Sequence, residues 1–550
     1  MNLSQRKNIE LNCLHITMHI YKLLISLALF FSCSSGVSGK FFTCTSHFKE
    51  SKKTAVDLVK FMDNYIKQEE LKIQVLKRVS SSIKEQLTEE LEGTKPIPPN
   101  PVSMYLYAKT VSDALYSIGE ISNRTEDNSQ FKVMLSKFSP GLPVEADVVG
   151  VAESFIRLQN TYNVTAKDMS SGNILGFKVK PLSAIDCYDI GEVIFEKGHT
   201  RLASQWFHEA LDKAQEYNTT KNITEFVLYV NEMLEEIKQR EIQDTIEGRM
   251  VIYGTALLQK PNGQTGIQNY NRPEVMELIE VMKKNNSKVY YGAETDRNFK
   301  YTKNYETFCA KRDVFKTGFC KYSKIQDLGF FGRPIKIEYI NNSPTKVLIV
   351  HDLLDQSLVD HLHGYSANLT RSNVVVPDAE SLEEAKKPSD ARTSSTFHYK
   401  NDESNDMVRK LYRVLERLTG LRMNYGQADS LQIVNYGIGG EYKPHFDWLE
   451  EDQINWMFHT GTNRLLTIIL YLSDVEVGGS TVFPDLGIAI APEKGSALFF
   501  TNLDSNGRGD LFALHGGCPV FFGSKWIANK WVHVKNQDMN FLQTVPSVWS

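Results

Sequence analysis

His445 and Asp447 stand one residue apart in "GGEYKPHFDWLEED" (439–452). In a strand, residues i and i+2 point to the same face, so an imidazole and a carboxylate would project together into one space. An H-x-D pair by itself is a weak signal, since about one is expected by chance in a chain with this much His and Asp. His515, in "LFALHGGCPV" at the mouth of a later predicted strand, offers a second imidazole. Two histidines and one carboxylate on one face make the facial triad that holds non-haem Fe(II) and leaves positions open for a chelating cosubstrate and dioxygen. Lys525 follows ten residues after His515. Its ammonium is placed to pair with the far carboxylate of a dicarboxylate whose other end chelates the metal. A lysine buried in a β core needs such a partner; the plainer reading is a solvated residue at a strand edge.

The elements that must bring these groups together are strands. After about residue 428 the chain reads as β-branched and aromatic runs: "LQIVNYG" (431–437), "RLLTIILYLSD" (464–474), "STVFP" (480–484), "SALFFTN" (496–502), "PVFFG" (519–523) and "KWIANKWVHV" (525–534). Gly, Pro, Asp and Asn punctuate them, and their spacing predicts an antiparallel sandwich or jelly roll. The N-terminal half reads as helix. Residues 54–92 carry an apolar stripe at Ala55, Leu58, Met62, Tyr65, Leu76, Val79, Ile83 and Leu87, interrupted at Glu69 and Lys72. That stripe suits a coiled-coil or bundle face, or one helix packed on its own domain. "KPIPPNPVS" (95–103) predicts an extended or polyproline segment. Helical patterns resume at 104–120 and 143–160. From Leu182 to about Gln239 the pattern is helix, a turn at Lys197-Gly198, helix, then a third helix, like a tetratricopeptide (TPR) unit or a plain helical hairpin. Residues 260–345 are loop-rich. "DAESLEEAKKPSDAR" (378–392) reads as a solvated loop or short helix.

At 550 residues the chain has room for about three or four domains. Net charge is −4 with no dominant basic face, so nucleic-acid binding has no electrostatic support. "LLISLALFF" (23–31), followed by "SCSSGVSGK", reads as a secretory signal with cleavage near Val37-Ser38-Gly39. It is about half the length of a membrane span, and no later run is long enough, so the mature chain is expected to be soluble. Sequons at Asn123, Asn163, Asn218, Asn222, Asn285, Asn341 and Asn368 agree with secretion. Past the signal stand Cys44, Cys187, Cys309, Cys320 and Cys518. Cys309 and Cys320, within "CAKRDVFKTGFC", are the best pair on spacing, and the odd count leaves at least one thiol free or intermolecular.

"LQIVNYGIGGEYKPHFD", "YLSDVEVGGSTVFP" and "HGGCPVFFGSKWIANKWVH" together resemble the catalytic domain of the animal prolyl 4-hydroxylase α subunit, a 2-oxoglutarate-dependent dioxygenase. "AVDLVKFMDNYIKQEE" resembles that family's N-terminal dimerisation helix, and "LSAIDCYDIGEVIF" the start of its TPR-like peptide-binding domain. The resemblance spans nearly the whole mature chain and is weakest over about 225–300. It implies a multidomain fold: an all-α N-terminal half, with a helical dimerisation region and TPR-like helices, then a C-terminal double-stranded β-helix (jelly roll) catalytic domain with flanking helices. The boundaries expected are a signal peptide at 1–39, a dimerisation domain at 40–175, a peptide-binding domain at 176–300, a linker with Cys309 and Cys320 at 301–340, and the dioxygenase domain at 341–550.

The resemblance further implies His445, Asp447 and His515 as iron ligands and Lys525 as the partner of the 2-oxoglutarate C5 carboxylate. Lys525 would then act in catalysis through the cosubstrate. Tyr436 falls on the cosubstrate side, Tyr442 on the substrate side, and Trp531 near the active site; core packing is the alternative role for these aromatics. The implied activity is C4 hydroxylation of peptidyl-proline in X-Pro-Gly sequences, with Fe(II), 2-oxoglutarate and L-ascorbate as cofactors. The implied partners are protein disulfide isomerase, in an α2β2 heterotetramer, and a collagen-like peptide; the implied compartment is the endoplasmic reticulum lumen. Two departures stand out. No cysteine follows Cys518 to pair with it as the family's does, so it is free or bridged elsewhere. Tyr229 occupies one substrate-contacting aromatic position of the peptide domain, but Glu232 stands where a second aromatic is expected. The alternatives are the same chemistry on another secreted Pro-containing protein, or a catalytically idle peptide-binding subunit.

Overall fold

The computed structural model describes residues 45–91, 98–123, 133, 136–215, 221–246, 249–252, 256–259, 288–291, 304–311, 318–323, 334–343, 345–375, 386–388, 391–399, 405–424, 426–449, 462–535 and 537. The expected leader and Cys44 lie outside them. The chain divides into two compact units, residues 1–80 and 81–550. Helix α1 (Thr45–Leu91) is the long helix predicted over 54–92. Leu58, Met62 and Tyr65 of its apolar stripe are about half exposed. The interruption of the stripe carries a Glu69–Lys72 ion pair at 2.6 Å. Among the described residues no helix is long and apolar enough to cross a membrane.

In the second unit, α2 (Pro101–Asn123) begins inside the proline run that had been expected to stay extended. Proline at the first helical position has no N–H to lose and a backbone angle already suited to the helix. Asn100 completes the start, its Oδ1 accepting from the Ser103 amide at 2.9 Å. Helix α3 (Glu145–Tyr162) leads to α4 (Ala184–Glu196), α5 (Thr200–Gln215) and α6 (Lys221–Ile246), the helix–turn–helix and third helix predicted. Ser183 and Asp186 close α4 reciprocally: each side chain accepts the other's backbone N–H. Gly191 lets α4 and α5 approach, because a Cβ there would stand 2.8 Å from the Phe207 ring. Trp206 of α5 is fully buried, edge-on to Phe155, with its Nε1 donating to Gln159 Oε1 at 2.8 Å. Within the segment 260–345, Lys288–Tyr291 forms a strand that joins Arg249–Ile252 and Ala256–Gln259 in a three-stranded antiparallel sheet.

The C-terminal half is built from two sheets. We number its strands β1 (Phe319–Ser323), β2 (Ile335–Asn341), β3 (Val347–His351), β4 (Thr370–Arg371), β5 (Ser395–His398), β6 (Gln432–Tyr436), β7 (Tyr442–His445), β8 (Arg464–Tyr471), β9 (Val477–Gly478), β10 (Thr481–Phe483), β11 (Ile488–Ile490), β12 (Ala497–Thr501), β13 (His515–Gly517), β14 (Val520–Phe522) and β15 (Lys525–His533). The large sheet runs β1-β2-β3-β12-β8-β15-β6-β5-β4, the small one β7-β13-β10-β11, and β9 pairs with β14. Alternation along the central strands decides which face each residue serves. Ile468 and Leu470 of β8 face a core shared with the amphipathic helices α7 (Gln356–His363) and α8 (Asp406–Thr419). Ile469 and Tyr471 face the other core, with Phe483 and Phe500, toward the small sheet.

The helices pack directly on this C-terminal half. Phe521 and Phe522 of β14 belong to the helical core, and the Phe177 ring stacks on Phe522 at 4.3 Å. Arg157 Nε of α3 donates to Gly439 O at 2.7 Å, and Tyr162 Oη donates to Pro519 O at 2.5 Å. Gly439 has φ +63°, and a Cβ there would collide with Ser154 at 2.4 Å. The turn before His445 and the turn between His515 and Lys525 are thus both held by α3.

Two expectations are corrected. The disulfide is Cys309–Cys518, 209 residues apart with Cα atoms 5.4 Å from each other, and Cys320 is free and exposed. Cys320 sits on the edge strand β1, while Cys309 packs against the small sheet with Val482, Ala489 and Cys518, so closeness in sequence did not become closeness in space. The charged stretch 378–392 is neither fully solvated nor helical among its described residues. Lys386–Pro388 forms a strand against Asn373–Val375, and Arg392 is buried.

Candidate active site

Strand β7 ends in the small sheet opposite β13, in a register that sets His445 directly across from His515. Their rings are 4.4 Å apart. Asp447, two residues past His445, turns back into the same space. His445 Nε2 lies 3.7 Å from Asp447 Oδ1, and His515 Nε2 lies 3.6 Å from Asp447 Oδ2. One ligand atom from each residue falls within 4.8 Å of the others. The sequence-predicted triad is therefore assembled.

The imidazoles are held in one tautomer. His445 Nδ1 meets Lys443 O at 2.9 Å, and His515 Nδ1 meets Ala513 O at 3.1 Å. A carbonyl can only accept, so each Nδ1 carries the proton and each Nε2 presents its lone pair. Burial, with His515 adding to it, pushes His445 down to about 3, so it is a neutral donor at pH 7. Burial pushes Asp447 up, but His515, His445 and Arg464 outweigh that and hold the carboxyl down at about 2. Two imidazoles and an ionised carboxylate on one face are the donor set for an iron-type ion with open positions.

Lys525 opens β15, opposite Tyr436 of β6. It is buried, and its Nζ is 3.4 Å from Thr481 Oγ1, which itself accepts from Tyr471 Oη at 2.9 Å. The same Nζ is 5.6 Å from the Tyr436 ring and 3.7 Å from where a Cβ on Gly517 would stand, two residues from His515. Among the described residues no carboxylate pairs with it, and burial alone pulls its ammonium down to about 7. The strand-edge reading of Lys525 does not hold: this is an interior cation.

The aromatics occupy distinct places. Tyr442 stacks on the His445 ring at 3.6 Å, and the Arg392 guanidinium lies 4.8 Å from the centre of the Tyr442 ring. Tyr436 is buried; burial raises its hydroxyl, with Arg392 and Ser394 pulling the other way. Trp531 does more than fill core space, since its Nε1 donates to Asp447 Oδ2 at 2.9 Å. Tyr229 belongs to another patch on the helices, 5.8 Å from Tyr188.

Sequence reasoning missed Arg392, Arg464 and Thr481. Arg392 donates to Ser394 Oγ and Gln432 Oε1, each at 3.1 Å. Its charged neighbours in the chain hid it. Arg464 lies 4.2 Å over the Trp531 ring and pairs with Asp429 at 2.9 Å. Thr481 sits in an apolar run with no signal of its own.

An acidic pair, Glu306 and Glu441, borders the site. Tyr305, in the helical turn 304–309 tied down by Cys309, has its Oη 2.8 Å from Gly517 O and 3.0 Å from Glu441 Oε2. Burial, and then Glu441, push the neighbouring Glu306 carboxyl up from 4.5 to about 7. A carboxyl raised in the folded state binds more protons there than in the unfolded chain, so stability falls as pH rises across that window. Glu306→Gln is expected to raise the thermal midpoint at pH 8 and to leave it nearly unchanged at pH 4, as measured by calorimetry.

Two family models match the chain: the prolyl 4-hydroxylase alpha-subunit N-terminal region over residues 45–176, and the 2OG-Fe(II) oxygenase superfamily over 431–533. The second contains all of His445, Asp447, His515 and Lys525. Prolyl 4-hydroxylase subunit alpha-1 of Homo sapiens is 28% identical over 541 residues, covering 90% of this chain and 94% of that protein. Subunit alpha-2 of Caenorhabditis elegans is 28% identical over 519 residues, covering 90% and 92%. A solved viral collagen prolyl hydroxylase from Paramecium Bursaria Chlorella virus-1, in complex with 2OG, is 22% identical, covers 34% of this chain and 95% of its own, and superposes with a TM-score of 0.26. The chain thus carries a prolyl 4-hydroxylase alpha-subunit N-terminal region and a 2-oxoglutarate–Fe(II) oxygenase domain, and it is similar to prolyl 4-hydroxylase alpha subunits over nine-tenths of its length.

Proposed function

We propose that the chain hydroxylates peptidyl-proline at C4, in X-Pro-Gly sequences of procollagen-like chains, using dioxygen and 2-oxoglutarate and releasing succinate and carbon dioxide. The observation that carries this reading is Lys525, a buried ammonium without a carboxylate partner among the described residues, its Nζ 3.7 Å from where a Cβ on Gly517 would stand, two residues past His515 of the metal-type triad. A buried cation of this kind is matched by the distal carboxylate of a dicarboxylate cosubstrate.

In this reading His445, Asp447 and His515 hold the ferrous ion, and Lys525 with Thr481 holds the C5 carboxylate. When bound, iron and 2-oxoglutarate together supply dioxygen activation coupled to oxidative decarboxylation, and insertion of oxygen into a C–H bond. The chain's residues do the positioning. The Nδ1–H donors of both histidines keep their Nε2 lone pairs aimed at one point. Trp531 orients Asp447. Tyr442, packed on His445, and the buried Tyr436 shape the walls and keep water from the reacting centre.

The same reading takes the two sheets as a double-stranded β-helix spanning 341–550 and 301–340 as the linker. It takes 176–300 as a TPR-like peptide-binding domain contacting substrate through Tyr229, and 40–175 as the dimerisation domain, whose exposed α1 stripe suits it to a second copy. It takes 1–39 as a secretory signal, the endoplasmic reticulum lumen as the compartment, protein disulfide isomerase as the partner in an α2β2 heterotetramer, and ascorbate as the reductant that restores iron oxidised in uncoupled turnovers. A second reading keeps the chemistry and changes the peptide to another secreted Pro-containing chain. Glu232, exposed near Tyr229, favours it by placing a carboxylate where an aromatic face would bind proline.

Co-expression with protein disulfide isomerase and assay of succinate release separates these. Release on (Pro-Pro-Gly)n is the expected result. Release only on unrelated Pro-rich peptides selects the second reading, and none on any peptide selects an idle subunit.

A further inference from the structure

Thr467 lies in the middle of β8, directly across from Trp531 of β15. Its Oγ1 has two polar neighbours, Asp447 Oδ2 at 2.7 Å and Asn502 Nδ2 at 2.8 Å. A hydroxyl has one proton to donate, and an ionised carboxylate can only accept. The Thr467 proton therefore goes to Asp447, and its lone pair receives the Asn502 N–H. The direction of the relay is set by chemistry: Asn502 to Thr467 to Asp447. All three side chains are at least nine-tenths buried, so water does not compete for these bonds.

Trp531 Nε1 donates to the same Oδ2 from the neighbouring strand. Two donors on one oxygen fix the plane of the carboxylate, since rotation about its Cβ–Cγ bond would break both. The other oxygen, Oδ1, accepts no hydrogen bond among the described residues and faces His445 Nε2. Asn502 is itself anchored asymmetrically. Its Oδ1 is buried and has no hydrogen-bond partner among the described residues, so only the N–H end of the amide is engaged. Leaving such an acceptor unmatched is costly, a cost that a leucine would avoid at the loss of the donor that orients Thr467.

We propose that Thr467, oriented by Asn502, is a positioning residue that works with Trp531 to clamp Asp447 so that one carboxylate oxygen stays free for the metal. The inference rests on the metal reading of the triad. Partners that orient a ligand typically contribute about 10- to 100-fold in metal affinity or activity.

The test is Mn(II) binding to the full chain co-expressed with protein disulfide isomerase, followed by electron paramagnetic resonance without cosubstrate. Thr467→Val, nearly the same shape without the hydroxyl, should weaken Mn(II) binding about 10- to 100-fold. Thr467→Ser should restore it. Asn502→Leu should weaken it less, and Thr467→Val/Asn502→Leu should be no weaker than Thr467→Val, because Asn502 acts through Thr467. The metal-free thermal midpoint of Thr467→Val reports any general loss of structure separately. Wild-type affinity in Thr467→Val, failure of serine to restore it, or additive losses in the double variant would each overturn the proposal. If the wild type binds no Mn(II) while its spectrum and unfolding show a folded protein, the metal reading itself fails, and the clamp with it.

Discussion

Lys525→Met is expected to raise the KM for 2-oxoglutarate by about 10²- to 10³-fold, equivalent to about 3–4 kcal/mol, the range for breaking a buried charge pair. The side chain keeps its length and apolar stem, so the change isolates the ammonium. Stability should move the other way. Lys525 is buried with no carboxylate partner among the described residues, and burial pulls its ammonium from 10.5 to about 7. The unfolded chain therefore binds the extra proton between those values and the folded one does not, so this lysine's penalty on the ligand-free protein is full below pH 7 and fades toward pH 10.5. Lys525→Met should raise the ligand-free thermal midpoint at pH 7, and the gain should shrink at pH 9.

The same shift sets a pH dependence for the wild type. A dicarboxylate favours the charged lysine, so binding above pH 7 takes up a proton, and KM for 2-oxoglutarate should rise with pH there. In Lys525→Arg, whose guanidinium stays charged, that rise should be absent. A wild-type KM flat between pH 6.5 and 8.5, or a Lys525→Met enzyme with unchanged KM, would remove Lys525 from the cosubstrate.

His445→Ala and Asp447→Ala should each lower succinate release by about 10³-fold or more, a barrier change of about 4 kcal/mol. The two should differ in stability. His445 is partly exposed and gives up one bond to Lys443 O. Asp447→Ala also orphans the Trp531 N–H and the Thr467 hydroxyl, which is expected to cost about 1–3 kcal/mol for each buried group left unmatched. Calorimetry of the metal-free proteins should therefore rank Asp447→Ala below His445→Ala. Activity retained in either variant would mean that the residue does not hold the metal.

Much of this was legible in the chain itself. The strand that Lys525 opens stands where the run 525–534 placed it, whereas Tyr442–His445 and His515–Gly517 are short strands beside the runs read at 431–437 and 519–523. Helix α1 and the α4–α5 hairpin also stand where their patterns placed them. These are local properties: side-chain periodicity selects helix or strand, and spacing along a strand selects a face. Residue types also sufficed for the chemistry, because few arrangements use two histidines, an aspartate and a buried lysine.

Which residues surround those four was settled only by the sheet order. Thr467 and Trp531 meet Asp447, and Asn502, just past β12, meets Thr467, because β12, β8 and β15 are neighbours, a pairing between segments dozens of residues apart. Arg392 looked solvated among charged neighbours and is buried beside Tyr442. Cys309 found Cys518 across 209 residues, past a cysteine far nearer in the chain. Periodicity describes a segment against a generic interior; partners across the fold depend on which segments pack together, and that is decided by the whole chain at once.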